Sequence, residues 1–216
     1  MWGLSQWVND PLFDSTVTVV LGHAASELPA EFVADRCRLY FGPNYDLEEI
    51  ERAVPHALGQ LRAQLGWIEK RLNRRGSFML GSEPGLADAL CYSIVWFIKG
   101  RYALAEAFLA QYPALLDWVA RVRDLGHGTP IGMTASEALQ IAKASQTSTS
   151  RLIDSKDPQQ IKPDQQISVA PLGVGGDPVV TGKAVVLTKD EIALRREDPE
   201  VGEVIVHFPR VGYALR

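Results

Sequence analysis

The most informative stretch of this chain is SFMLGSEPGLADALCYSIVWFI, residues 77–98. An apolar segment runs into a Gly-Ser-Glu-Pro-Gly turn and then into a helix. Gly85 stands at the N-cap and Asp88 at the N3 position, where a carboxylate can accept backbone N–H groups and face the positive end of the helix dipole. Apolar residues then recur at helical spacing: Leu86, Leu90, Ile94 and Phe97, with Ala89, Trp96 and Ile98 beside them. We therefore predict a helix that is buried on most of its surface.

Two further helical segments flank this stretch. Asp46-Leu47-Glu48-Glu49 has the pattern of a capping box, and it opens a long run of apolar residues at three- and four-residue spacing. Pro55 interrupts that run and should kink or split the helix. Residues 112–122, YPALLDWVARV, place Pro113 at a first helical position. The sequence therefore predicts a helical domain over residues 1–148.

These motifs resemble the helical C-terminal domain of glutathione transferases. In that family, a stretch F-L-x-G…P-[S/T]-x-A-D begins the core helix, and Leu80-Gly81 and Pro84–Asp88 match it. Gly85 replaces the usual hydroxyl residue, so one side-chain hydrogen bond of the family's cap is absent. The segment 112–122 is similar to the family's helix [F/Y]-P-x-L-x-x-W-x-x-R-[V/M]. The two motifs occur in the family's order.

The resemblance implies that the glutathione site belongs to an N-terminal thioredoxin-like domain. Residues 1–7 already read as the first helix of the helical domain, and no C-x-x-C motif occurs. We therefore expect the thioredoxin-like domain to be absent from this chain. We also expect the chain to carry no catalytic residue and to be inactive alone, with glutathione as co-substrate once the missing domain is supplied.

The resemblance also implies a second-substrate pocket on the first long helix, residues 2–22. The candidate substrate-binding residues there are Trp7, Asp10, Phe13, Asp14 and Thr18. Aromatic rings can offer a flat apolar wall to a poorly soluble electrophile. Alternatively, these aromatic residues pack in the domain core or cover a surface that a missing partner would bury.

His127 is a further candidate, because the flanking Gly126 and Gly128 leave its imidazole accessible. It could contact a ligand or titrate near neutral pH. The alternative is that it caps the end of the preceding helix.

Composition excludes several classes of protein. The net charge of −4 argues against binding to nucleic acid. No run of eighteen apolar residues and no secretion signal occurs, so we expect a cytoplasmic protein without a membrane span. Cys37 and Cys91 are expected to be buried, reduced thiols. The four histidines are scattered, so no metal site is predicted.

The pattern changes near residue 150, and residues 149–216 are predicted to form a small all-β extension. A full capping box, Thr134–Glu137, opens the last helix before this boundary. The predicted strands are 166–170, 179–187, 191–196, 203–208 and 212–215, with a glycine-rich turn at 173–178 among the connections. Such strands favour a meander that closes into a small SH3-like barrel. The tail resembles that of a bacterial subgroup of glutathione transferase-like proteins.

The sequence therefore predicts an α+β chain, a helical glutathione transferase-like domain followed by a β extension. The expected function is to supply the second-substrate side of the cleft for glutathione conjugation of small electrophiles, a detoxification reaction, and a homodimer is one expected assembly. The alternative is a non-catalytic binding or assembly module whose β extension contacts a protein partner.

Overall fold

The chain folds into two compact units, residues 1–128 and residues 129–216. The computed structural model describes residues 2–74, 76–148, 151–172 and 178–216. Met1 and residues 173–177, which hold most of the predicted glycine-rich turn, lie outside the described residues. Helices form the first unit and strands dominate the second, so the α+β class is confirmed.

The named elements of the first unit are all helical. Its elements are α1 (Trp2–Trp7), a π-helical turn (Val8–Leu12), α2 (Phe13–Ala24), a 3-10 turn (Ala25–Glu27), α3 (Ala30–Phe41), α4 (Leu47–Arg74), α5 (Leu86–Arg101), α6 (Ala105–Leu109) and α7 (Pro113–Asp124). Helix α4 continues through Pro55, so the expected split does not occur. Pro55 cannot donate to the carbonyl of Glu51, four residues earlier. Both residues are exposed, so water can satisfy that carbonyl.

The main core of this unit lies where α4, α5 and α7 meet. Leu61, Leu65 and Trp118 are fully buried in it. Burial of each such side chain contributes about 1.5–3 kcal/mol. Helix α5 buries a narrower face than its composition predicts, because Leu86 and Trp96 are each 59% exposed.

The start of α5 is tied to two other segments by Asp88. Its carboxylate is 2% exposed and accepts the backbone N–H of Gly85 at 3.0 Å and of Met79 at 2.8 Å. The same carboxylate accepts the indole N–H of Trp118 on α7 at 2.8 Å. Gly85 has an extended backbone (φ −153°). Asp88 thus links the helix start, the segment before it and the domain core.

In its described residues, the second unit contains one helix and six strands. They are α8 (Ala135–Ala144), β1 (Leu152–Ile153), β2 (Gln166–Pro171), β3 (Val180–Leu187), β4 (Glu191–Asp198), β5 (Gly202–Pro209) and β6 (Tyr213–Leu215). The capping box at Thr134 starts α8: Thr134 Oγ1 accepts the N–H of Glu137 at 3.2 Å, and Glu137 Oε2 accepts the N–H of Thr134 at 2.7 Å. The backbone N–H and the hydroxyl of Thr134 both donate to the carboxylate of Glu137, and these two bonds lower the pKa of Glu137.

The sheet is open rather than a closed barrel. Its order is β5-β4-β3-β2-β6, with antiparallel neighbours, and β1 pairs with β3 in parallel. The last strand returns to pair with β2, with Val169 opposite Leu215. Because β6 is only three residues long and pairs with β2, β5 remains at the other edge of the described sheet. The SH3-like closure predicted from the sequence is therefore not confirmed.

One face of this sheet carries the larger core of the second unit. Its buried residues are Ile167, Val169, Ala184, Leu187, Ile192 and Leu194. Phe208 and Tyr213 pack against it with ring centroids 5.2 Å apart. The sheet is thus stabilised mainly by alternate residues of its three central strands.

Candidate functional site

The candidate site is built on the π-helical turn between α1 and α2. Pro11 lies inside this turn and has no backbone N–H to donate. The turn accommodates the proline in a wider helical geometry, which in proteins occurs often at functional sites. The carbonyl of Pro11 accepts the hydroxyl of Ser15 at 2.7 Å. The turn is therefore an ordered feature with satisfied polar groups.

Gln64 on α4 fixes the π-helical turn in place. Its side chain is buried, with 4% exposed, and its Oε1 accepts the indole N–H of Trp7 at 2.8 Å. Its Nε2 donates to the carbonyl of Pro11 and to the hydroxyl of Ser15, both at 3.2 Å. Gln64 thus holds both ends of the turn against α4.

Trp7 and Trp67 form an aromatic surface next to the hydrogen bonds of Gln64. Their ring centroids are 5.9 Å apart and their planes are tilted by 41°. Trp7 is half-buried against the main core, whereas Trp67 is 57% exposed. An apolar face of this kind can contact a flat apolar ligand, with Trp7 held rigid by its bond to Gln64.

Asp10 and Asp14 place negative charge on the exposed side of the π-helical turn. The two residues are one turn apart, and Gln6 donates a hydrogen bond to Asp10. Partial burial raises the pKa of Asp14, and the neighbouring charge of Asp10 raises it further. The pair therefore disfavours an anionic ligand at this surface.

Phe13 packs between two hydrophobic clusters of the helical unit. Its ring meets Tyr40 of α3 edge-on at 5.4 Å and stacks with Phe97 of α5 at 6.5 Å. Half-buried Phe13 contacts both clusters. This position matches the alternative interpretation, in which the ring fills the core.

Thr18 lies at a cavity of about 310 Å³ between α2 and the start of α4. Its hydroxyl donates to the carbonyl of Asp14 at 2.8 Å, which orients the side chain along α2. Phe41, Tyr45 and Asp46 also line this cavity. Asp46 caps α4 by accepting the N–H of Glu48 at 2.9 Å.

His127 follows α7 in an exposed segment. Gly126 and Gly128 on either side have positive φ values of +74° and +77°, which favour glycine. Across the ranges that the structure describes, the imidazole makes no hydrogen bond, ion pair or ring contact. The structure brings Trp7, Asp10, Asp14 and Thr18 onto one helical stretch and gives His127 no contact with them.

A comparison with known protein families finds a match to part of the helical unit. The family model described as glutathione S-transferase, C-terminal domain, matches residues 48–121, which include most of α4, all of α5 and most of α7. Residues 48–121 are therefore similar to the C-terminal domain of glutathione S-transferases.

A solved structure is similar to the chain beyond the segment that matches the glutathione S-transferase (GST) family model. A GST-like protein from Pseudomonas syringae is 25% identical to the chain and superposes with a TM-score of 0.69. The similarity covers 99% of this chain and 66% of that chain, so this chain spans less than two thirds of the length of that relative. No curated protein sequence matches the chain.

Gln64 is the residue of the candidate site that the sequence analysis missed. It lies among Leu61, Leu65 and Ile68 on the apolar stripe of α4. A polar residue inside such a stripe must find hydrogen-bond partners when it is buried. The polar residue within the apolar stripe of α4 is therefore the sequence signal that points to Gln64.

The described residues offer neither a metal site nor a membrane span. Within their ranges, no group of three or more His, Cys, Asp or Glu side chains is placed to hold a metal ion. The same ranges contain no helix that has both the length and the apolar character needed to cross a bilayer.

Proposed function

We propose that this chain supplies the electrophile-binding side of a GST-like enzyme. A thioredoxin-like domain outside this chain would bind glutathione and lower the pKa of its thiol. The glutathione thiolate would then form a bond to an electrophilic carbon, and the leaving group would depart with the bonding electrons. The chain itself contributes orientation of the electrophile.

The paired rings of Trp7 and Trp67 are the observation that supports this proposal. Gln64 fixes Trp7, and more than half of Trp67 is exposed, so the surface is both rigid and accessible. Asp10 and Asp14 lie on the same helical stretch and add negative charge. The expected substrate is therefore a flat, apolar electrophile that is neutral or cationic rather than anionic.

The proposal includes a cytoplasmic location. Cys37 and Cys91 are both buried and outside any disulfide. Reduced thiols are typical of compartments in which glutathione is abundant. Glutathione would be the co-substrate there, and the reaction would serve detoxification.

Binding of 1-chloro-2,4-dinitrobenzene, followed by quenching of tryptophan fluorescence, tests the aromatic surface. We expect Trp67→Ala to weaken binding. The matched control is Trp96→Ala on α5, because Trp96 is equally exposed and has no ring contact with Trp7 among the described residues. Equal affinity in the two variants would contradict the proposal.

The proposal that another domain binds glutathione has a separate test. The chain alone is expected neither to bind glutathione agarose nor to conjugate 1-chloro-2,4-dinitrobenzene. Either activity above background would show that this chain holds the glutathione site itself.

A second candidate function is a binding or assembly module that acts through the second unit. Exposed apolar residues on and before α8 favour it: Ile131 is 92% exposed and Ile141 is 55% exposed. Exposed apolar patches mark interaction sites. Sedimentation would favour this candidate if the wild-type chain forms a dimer that Ile131→Ser and Ile141→Ser abolish.

A further inference from the structure

A polar cavity of about 510 Å³ lies on one face of the sheet in the second unit. We call it the sheet cavity. Strands β2 to β5 all contribute to its lining, which includes Gln166, Thr181, Lys183, Arg195, Glu197 and Glu203. Its volume is within the usual range for small-molecule sites, about 300–1,000 Å³. All of its lining residues belong to the second unit, so a ligand site here is independent of the function proposed for the helical unit.

Two like-charge pairs face each other across strands at this cavity. Lys183 of β3 is directly opposite Arg195 of β4, and Glu197 of β4 is directly opposite Glu203 of β5. Like charges at opposed positions destabilise a sheet. Departures from such local rules concentrate at functional sites.

One member of each pair is neutralised within the unit. Arg195 donates a hydrogen bond to Asp164, which also forms an ion pair with Arg151 at 2.9 Å. Arg195 Nε lies 3.8 Å from a carboxylate oxygen of Glu203, and the hydroxyl of Thr147 donates to the other oxygen. Arg195 and Glu203 are thus held in a connected network, so these two lining side chains of the cavity have fixed positions.

Lys183 and Glu197 are the members that stay uncompensated. Neither side chain has an ion pair anywhere in the ranges 151–172 and 178–216 or in the described helical part of the chain. Both line the sheet cavity. The cavity therefore presents one ammonium and one carboxylate to an incoming ligand, beside the guanidinium group of Arg196, which also lines it.

The register sets the spacing between the two sheet positions that carry these charges. Lys183 is opposite Arg195, so Glu197 is its diagonal neighbour on the same face of β4. Diagonal neighbours of this kind lie about 7–8 Å apart. An extended chain of two residues spans at most about 7 Å.

We propose that the sheet cavity binds a short peptide with free termini. The peptide carboxylate pairs with Lys183, and its ammonium group pairs with Glu197. Gln166 and Thr181 supply side-chain donors and acceptors for the peptide bond between them. A ligand with only one of the two charges leaves either Lys183 or Glu197 without a partner.

Calorimetric titration of the full chain with alanylalanine tests this proposal. We expect binding of alanylalanine, with affinity lower by about tenfold or more, at least 1.4 kcal/mol, for N-acetyl-alanylalanine and for alanylalanine amide. Lys183→Gln and Glu197→Gln should each weaken alanylalanine binding to a similar degree. The matched controls are Lys189→Gln and Glu200→Gln, which change exposed turn residues outside the cavity lining.

Three results would overturn the proposal. The first is no binding of alanylalanine at millimolar concentration. The second is equal affinity for the capped and uncapped peptides, which needs no variant and so does not depend on how a variant folds. The third is unchanged binding by both Lys183→Gln and Glu197→Gln. None of these readouts involves glutathione or an electrophile, so failure here leaves the function proposed for the helical unit untouched.

Discussion

The carboxylate of Asp88 accepts a hydrogen bond from the indole N–H of Trp118, thirty residues later, at 2.8 Å. Both side chains are buried, and the bond joins the start of α5 to the middle of α7. The same carboxylate holds the N–H groups of Gly85 and Met79. The capping residue is therefore also a tertiary contact of the core.

Replacement of Asp88 should lower the free energy of unfolding by more than the loss of a helix cap alone does. Asp88→Ala leaves the buried indole N–H of Trp118 and the N–H of Met79 without an acceptor, and each unsatisfied group costs about 1–3 kcal/mol. We expect the free energy of unfolding to fall by about 3 kcal/mol in denaturant titration. Asp117→Ala on exposed α7 surface is the control and should change stability by less than about 0.5 kcal/mol. An equally small loss of stability in Asp88→Ala and Asp117→Ala would contradict the role of Asp88 as a tertiary contact.

Gln64 should stabilise the helical unit through its three hydrogen bonds. Gln64→Met keeps the approximate volume but removes the partners of Trp7, Pro11 and Ser15. We expect a loss of about 2 kcal/mol and a shift of tryptophan fluorescence, because the indole N–H of Trp7 loses its acceptor. Gln60→Met, on an exposed position of the same helix, should do neither. Equal stability and equal fluorescence of the two variants would show that the hydrogen bonds of Gln64 do not stabilise the unit.

Much of the fold could be predicted from the sequence, because local signals set it. The cap at Asp88 and the proline at Pro113 lie where α5 and α7 begin. The five predicted strands correspond to β2–β6 with ends shifted by one or two residues. Strand β1 was missed because two residues are too few to show an alternating pattern.

Long-range partners could not be predicted in this way. The hydrogen bond from Trp118 to Asp88 joins residues thirty positions apart, and the one from Trp7 to Gln64 joins residues fifty-seven positions apart. No periodicity specifies which polar group a buried side chain meets. The openness of the described sheet could not be predicted either, since closure would need β6 to pair with β5 as well as with β2.

The close approach of β3 and β4 should depend on Gly182. A Cβ atom at this position would lie 2.7 Å from the carbonyl oxygen of Arg195 and 3.1 Å from Cβ of Leu194. Backbone atoms move little, so we expect Gly182→Ala to destabilise the second unit by about 1–3 kcal/mol in thermal unfolding. At Gly132 a Cβ would meet open space, which makes Gly132→Ala the control. Equal melting temperatures for the two variants would show that the strands can separate without cost.

The charge on Asp10 should contribute to the titration of Asp14. Burial is the larger cause of the raised pKa of Asp14 and the charge of Asp10 is the second, so Asp10→Asn should lower that pKa only part of the way to its usual value. Because the folded pKa lies above the unfolded one, ionised Asp14 disfavours the folded state. That penalty is present above the folded pKa and disappears as pH falls through it. Carboxyl NMR titration checks the shift, with Asp124→Asn as a control that should leave Asp14 unchanged.

Cys91 should be chemically inert in the folded protein. Burial raises its thiol pKa to about 12, and the nearby charge of Asp88 adds to the increase. Because the thiolate is the reacting form, we expect no labelling of Cys91 by iodoacetamide at pH 8 under native conditions. Cys37 is also fully buried, and burial raises its pKa too, so neither thiol should react until the unit unfolds. Asp88→Ala should then speed labelling of Cys91, since weaker helix packing opens the core more often. Mass spectrometry with and without denaturant measures both rates, and rapid labelling of the native wild-type chain would contradict the burial of these thiols.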